Sequence, residues 1–458
     1  MIKNTFLLAI SSMLLFSCSN NDDYVDLPDL NERLYAGGET TVFSENSTAF
    51  RTPAVNLMGS DLDMHLLGDT QFEQAFVTAP ATINNGLGSI FNNTSCISCH
   101  PKDGRASFPT NITNLSGLLL RASIPGMDVH GGPNPVPGFG AQIQNQAIFG
   151  TFPEARYQVA FETKTEVLAD GTTITLRKPI ITLVDSYIPF PANGMLSSRV
   201  ATPVFGLGLL EAIPEANLLA KQDINDSDGD GISGKANYDW DPTVSQLKIG
   251  RFGWKAGAPT VLVQCAGAYV DDMGVTNYVF PNEVGASQSN GQDGLADDPE
   301  IADDILNQVV LYCKTLAVPA PRNVTNETVR KGALIFEQIE CAKCHTPKQQ
   351  TGSNSISAIA NQTIFPYTDL LLHDMGADLA DNRPDFLATG TEWKTRPLWG
   401  IGLTQVVNGH TDFLHDGRAR NITEAILWHG GEAQVSKEKF KQLSTQKRTE
   451  LLAFLNSL

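Results

Sequence analysis

The sequence predicts a mainly α-helical fold of two small units, the first enlarged by insertions that include a β-hairpin. Three observations predict it. The string Cys96-Ile97-Ser98-Cys99-His100 recurs in pattern as Cys341-Ala342-Lys343-Cys344-His345. Apolar residues at helical spacing bracket the second copy: Val329, Ala333 and Phe336 before it, Leu451, Leu455 and Leu458 after it. Ala317-Val318-Pro319-Ala320-Pro321-Arg322 reads as a stiff linker between the two units.

Cys-x-x-Cys-His is the pattern of c-type haem attachment. The two thiols form thioethers with the porphyrin vinyl groups, and the histidine takes the iron from one face. Zinc would need the cysteine pairs brought together as one four-ligand site, and a redox Cys-x-x-Cys a βαβ setting. Each unit therefore reads as a cytochrome c-like domain, with two covalently bound haems in all. Cys96, Cys99 and His100 hold one; Cys341, Cys344 and His345 hold the other.

Taken in order, residues 1–17 carry one basic residue, Lys3, and an apolar run from Phe6 to Phe16. Spanning a bilayer takes about 20 apolar residues, so this is a signal peptide. Leu15-Phe16-Ser17-Cys18 resembles a lipoprotein box, which makes Cys18 a lipidated N-terminus. A plain cleaved signal beside a spare cysteine is the alternative. The expectation is an exported protein, held by acyl chains to the periplasmic or surface face of a bacterial membrane. Residues 18–60 form a polar tether and lead-in. Residues 61–318 make the first haem domain, with a hairpin pairing Tyr157-Gln158-Val159-Ala160-Phe161 with Thr173-Ile174-Thr175-Leu176 about Asp170-Gly171. Residues 319–325 are the linker and 326–458 the second haem domain.

With 458 residues and 41% hydrophobic content the chain can bury real cores. A net charge of −18 disfavours nucleic acid and leaves a basic redox partner or a neutral small molecule open. Cys265 and Cys313 are left over, as a disulfide or as two buried thiols. Asp226, Asp228 and Asp230, with Gly231 at position 6, match the start of an EF-type calcium loop. Asn237 stands at position 12 where a bidentate Glu belongs, so calcium and a solvated acidic turn both stay open.

Several phrases resemble the dihaem oxidoreductases, a peroxidase-related family sometimes labelled thiol oxidoreductases. They are Phe91-Asn92-Asn93-Thr94-Ser95-Cys96, Gly206-Leu207-Gly208-Leu209-Leu210-Glu211-Ala212-Ile213-Pro214-Glu215, Arg251-Phe252-Gly253-Trp254-Lys255-Ala256 and Leu371-Leu372-His373-Asp374-Met375-Gly376. Through that family the chain is similar to the bacterial dihaem cytochrome c peroxidases, as Phe413-Leu414-His415-Asp416-Gly417-Arg418-Ala419 and Thr423-Glu424-Ala425-Ile426 show.

The resemblance implies that a donor feeds electrons to the second haem and that the first reduces hydrogen peroxide. An electron shuttle, or an oxidase of a partner protein or small organic substrate, is the alternative. In the peroxidases a methionine fourteen residues after the histidine of the HDG motif is the second haem's sixth ligand. Here that count from His415 lands on His429, where Asn421 and Glu424 start a short helix and Gly430-Gly431 stop it. A bis-histidine haem should have a low potential; Met375 is the alternative ligand. The resemblance also implies Glu211 as the distal acid of the first haem, a structural glutamate in a loop being the alternative. His130, thirty residues past His100, stands where a displaceable ligand could sit or else faces solvent among Gly and Pro. Trp254 and Trp399 are candidates for a bridge between haems, while His65, His373 and His410 read as satisfied polar residues.

Overall fold

The computed structural model describes residues 26–109, 116–283 and 291–458. The expected signal peptide and Cys18 lie outside them. In chain order the main elements are α1 (Ser60–Glu73), β1 (Leu118–Met127), β2 (Arg156–Val167), β3 (Thr173–Val184), β4 (Met195–Val200), α2 (Val261–Met273), α3 (Asp303–Thr315), α4 (Glu327–Gln338), β5 (Leu372–Asp374), β6 (Glu392–Lys394), α5 (Ile422–Trp428), α6 (Gln434–Gln442) and α7 (Thr445–Ser457).

The mainly α expectation is corrected: 29% of the chain is helical and 19% is strand, in several small antiparallel sheets. Most of the strand comes from the insertion after the first Cys-x-x-Cys-His. Its β-branched stretches, such as Thr173-Ile174-Thr175-Leu176 and Ile180-Ile181-Thr182, suit a pleated, half-buried surface. β2 and β3 pair over their whole length, from Arg156 opposite Val184 to Val167 opposite Thr173. β1 pairs with β4, Leu118 facing Val200 and Ser123 facing Met195.

Two crossed helix pairs underlie the two sites. α1 crosses α3 at Gly68, where a Cβ would come within 2.2 Å of the Gln308 carbonyl oxygen and 2.7 Å of Tyr312 Cβ. α4 crosses α7 at Gly332, where a Cβ would come within 2.0 Å of the Glu450 carbonyl oxygen and 2.7 Å of Phe454 Cβ. Only glycine lets either pair approach so closely. In both, a phenylalanine four residues on, Phe72 or Phe336, turns its ring towards the histidine of the local Cys-x-x-Cys-His. This Gly-x-x-x-Phe repeat is visible in the sequence only once the helices are known.

Packing crosses the sequence boundary between the units. Phe108, Leu118, Leu120, Phe139 and Leu176 of the insertion share one core with Phe336, Trp393, Leu451 and Phe454. The hairpin reaches over the second unit: Ala169 N donates to Lys441 O at 3.0 Å, Thr445 Oγ1 donates to Asp170 at 2.8 Å, and Arg448 pairs with Asp170. Residues 317–321 are buried. Val42 bridges to Pro319 and Pro53 to Leu316. From Asp26 onward the lead-in is packed too, with Glu39 N donating to Gln362 Oε1 at 2.9 Å. Among the described residues no helix is long and apolar enough to cross a membrane.

Candidate functional site

The second site is built on a single turn, Cys341–Lys343, behind the α4–α7 crossing. The Phe336 ring lies 6.4 Å from that of His345. His345 Nδ1 donates to the Tyr367 carbonyl at 3.1 Å. A carbonyl can only accept, so Nδ1 holds the hydrogen and Nε2 keeps its lone pair for a metal. Asn421 starts α5 by accepting from Glu424 N at 2.9 Å, and Glu424 reaches back to Arg420 N at 2.9 Å. α5 ends at Trp428, and the chain turns away at His429 with ψ 137°. There His429 Nδ1 donates to Ala425 O at 2.7 Å, which leaves its Nε2 free in the same way.

His345, His429, Cys341 and Cys344 line one apolar cavity, and Met375 lines it as well. Burial, helped by the neighbouring His429, lowers the His345 pKa to about 4, and burial lowers that of His429. Two neutral imidazoles with open Nε2 atoms are a donor set that suits haem iron.

The first site repeats the design. Cys96–Cys99 form one helical turn. Asn93 Nδ2 donates to Cys99 Sγ at 3.1 Å, and His100 Nδ1 donates to Thr202 O at 2.7 Å. Phe72 stands 6.2 Å from the His100 ring. Burial lowers the His100 pKa to about 4 and pushes the Cys99 thiol up to about 12. Burial pushes Cys341 up to about 12 as well. Among the described residues every group of three or more close potential metal ligands is acidic, so the cysteine pairs do not converge. Both sets fit haem better than zinc.

Behind His100 the packing is polar. Asp103 is buried and accepts from Tyr312 Oη at 2.8 Å, while its Oδ2 has no hydrogen-bond partner. Burial raises its pKa to about 7.

Trp254, a candidate bridge in the sequence, belongs to a ring group whose His415–Trp393 stack sequence reasoning missed. His415 stacks on Trp393 with centroids 3.9 Å apart and planes at 14°, and Trp254 meets its edge at 6.3 Å. Trp254 Nε1 donates to Val200 O at 2.9 Å, and Val200 N donates to His415 O at 2.7 Å. Trp399 also lines the cavity. His373 is more than a satisfied core residue: Glu432 and Asp369 hold its two nitrogens at 2.6 and 2.9 Å, and its Nδ1 lies 3.6 Å from Cys344 Sγ. Glu432 is 59 positions away, so no local pattern pointed to it.

Other expected residues fall elsewhere. Glu211 pairs with Lys314 Nζ at 2.6 Å and accepts from Val261 N at 2.5 Å, so it caps α2. Asp226 and Asp228 cluster with Asp223, whereas Asp230 pairs with Lys343 at 3.0 Å. Asn237 is fully buried, donating to Lys255 O and Asp385 O, and so stands apart from any calcium loop. His130 is exposed and stacks on Trp240 at 3.9 Å. His65 bonds Thr315 Oγ1 at 2.7 Å, and His410 bonds the Arg105 carbonyl at 3.1 Å. Cys265 and Cys313 are free thiols in mutual contact; that contact and burial push Cys313 well up.

Two Cys-x-x-Cys-His turns, each set behind a glycine-crossed helix pair, define a two-centre haem architecture. Residues 31–458 match the family described as "Di-haem oxidoreductase, putative peroxidase", and the chain belongs to that family. It is accordingly an oxidoreductase with haem cofactors. No curated protein matches it. A solved structure of hydrazine synthase from Kuenenia stuttgartiensis, pressurised with xenon, aligns over 99% of this chain and 100% of its own, at 13% identity and a TM-score of 0.35. A likeness that low carries no argument.

Proposed function

We propose that the protein reduces hydrogen peroxide, taking electrons from a donor protein at the second site and using them at the first. The observation that carries this reading is the pairing of His345 with His429 in one cavity, each with its Nε2 free. A haem held by both of these imidazoles would have no position left for a substrate, which suits electron transfer. His100 is the residue that would hold the first haem. Among the described residues the remaining histidines are engaged elsewhere, which supports placing substrate chemistry at the first site.

When bound, the haems supply one-electron redox chemistry. The chain holds and insulates them. Cys96, Cys99, Cys341 and Cys344 would fix the two groups covalently, and the Thr202 and Tyr367 carbonyls orient the proximal imidazoles. Trp254, Trp393 and His415 pack ring against ring in the lining of the same cavity. A haem held by two histidines and no thioether would have a low potential. We also propose export and lipid anchoring at Cys18, supported by Leu15-Phe16-Ser17-Cys18 after the apolar run. A calcium ion at the Asp226 loop has no support beyond the acidic cluster.

Rapid mixing of the fully reduced protein with peroxide tests the function. The expected result is oxidation of both haems per peroxide consumed. A protein that carries two haems but stays reduced in excess peroxide would instead be an electron carrier.

A further inference from the structure

The cavity that holds His345 and His429 continues past Trp254 to Arg105, five residues beyond His100. It carries more positive charge than its protein neighbours neutralise. The guanidinium carbons of Arg105 and Arg396 lie 5.4 and 5.1 Å from the Trp254 ring centre, and both side chains line the cavity. Arg105 donates to the Leu414 carbonyl at 3.2 Å. The carboxylate that acts on its charge, Asp412, is itself paired with Arg177 at 3.3 Å and accepts from Phe108 N at 2.9 Å. Arg396 has no hydrogen bond or ion pair to any described residue. Burial, reinforced by the mutual repulsion of the two cations, lowers Arg396 to about 9. Burial, with the Arg396 charge beside it, lowers Lys394 well below its usual value, and its Nζ donates to the Arg251 carbonyl at 2.6 Å.

A buried guanidinium without a counter-charge is unfavourable, and the planar fork of Arg matches a carboxylate with two parallel hydrogen bonds. We propose that Arg105 and Arg396 form a receptor for carboxylate groups at the junction of the two sites, filled by haem propionates or by a free carboxylate ligand. This rests on the two-haem reading above and adds residues that no sequence motif marked.

The test uses the full-length two-haem protein. Spectroelectrochemical titrations from pH 5 to 9 compare wild type with Arg396→Gln, Arg105→Gln and Arg396→Lys. If propionates fill the receptor, each Gln variant lowers the reduced-to-oxidised ratio of one haem several-fold at fixed applied potential, because a carboxylate loses its cation. The variant also gains a pH-dependent step, and Arg396→Lys restores most of the wild-type behaviour. If a free carboxylate fills it, acetate added to wild type gives a saturable shift of the Soret band that Arg396→Gln abolishes. A Gln variant that loses haem while the Lys variant keeps it supports the receptor in the propionate form. Two haems in every variant, with unchanged titrations and no acetate response, would overturn the receptor alone. Fewer than two haems in wild type would overturn the two-haem reading instead.

Discussion

Val200 ties His415 to Trp254: its amide donates to the His415 carbonyl at 2.7 Å and its carbonyl accepts from Trp254 Nε1 at 2.9 Å. Two residues further on, Thr202 takes His100 Nδ1 at 2.7 Å. One strand end thus positions both His100 and the ring stack of His415 and Trp254. It belongs to the β insertion, so the insertion serves both centres.

Covalent attachment is checked by denaturing gels stained for haem. Wild type should show two haems per chain by quantitative spectroscopy. The double variants Cys96→Ala/Cys99→Ala and Cys341→Ala/Cys344→Ala should each show one. Wild type with a single haem, or with zinc, would contradict the assignment.

The axial ligand of the second site is checked by His429→Met. Exchanging imidazole for thioether should raise that haem's reduction potential and bring in the weak near-infrared band of thioether-ligated ferric haem. If wild type already shows the band and Met375→Ala removes it, Met375 is the ligand.

Gly332→Ala tests the helix crossing behind the second site. A Cβ 2.0 Å from the Glu450 carbonyl oxygen must push α4 and α7 apart. Overpacking of this kind costs about 1–3 kcal/mol, read as a lower denaturant midpoint. Gly68→Ala should act similarly at α1–α3. Wild-type stability in both variants would mean that the pairs are not held this closely.

Glu211→Gln should leave peroxide kinetics and haem content unchanged. The carboxylate is spent on Lys314 and on the first amide of α2. Loss of such a cap costs about 1 kcal/mol. A 100-fold fall in turnover at unchanged stability would restore Glu211 to the chemistry.

Asp103 should make stability pH-dependent. Burial raises its folded-state pKa to about 7, against the usual 3.8, so the unfolded chain releases this proton first. Its contribution is favourable below pH 3.8 and is lost as pH rises from there through about 7. Asp103→Asn keeps an acceptor for Tyr312 and should equal wild type at pH 4 but exceed it at pH 8 in chemical denaturation. Parallel curves for the two proteins would show that the carboxyl is ionised throughout.

The sequence by itself determined the two Cys-x-x-Cys-His turns, the short helix that ends before His429, and the hairpin's turn at Asp170-Gly171. Each is a pattern of near neighbours: a fixed cysteine spacing, a capping box closed by glycines, and β-branched runs on either side of the Asp170-Gly171 turn. The sequence also held the Gly-x-x-x-Phe repeat at Gly68 and Gly332, whose meaning needs the partner helix. The balance of helix and strand, the role of Glu211 and the groups around each site were decided by tertiary structure. Arg105 meets Arg396 across Trp254, and His373 meets Glu432, because the insertion folds back over the second unit and merges the cores. Such contacts join residues tens to hundreds of positions apart. Their geometry is fixed by packing, which no periodicity along the chain records.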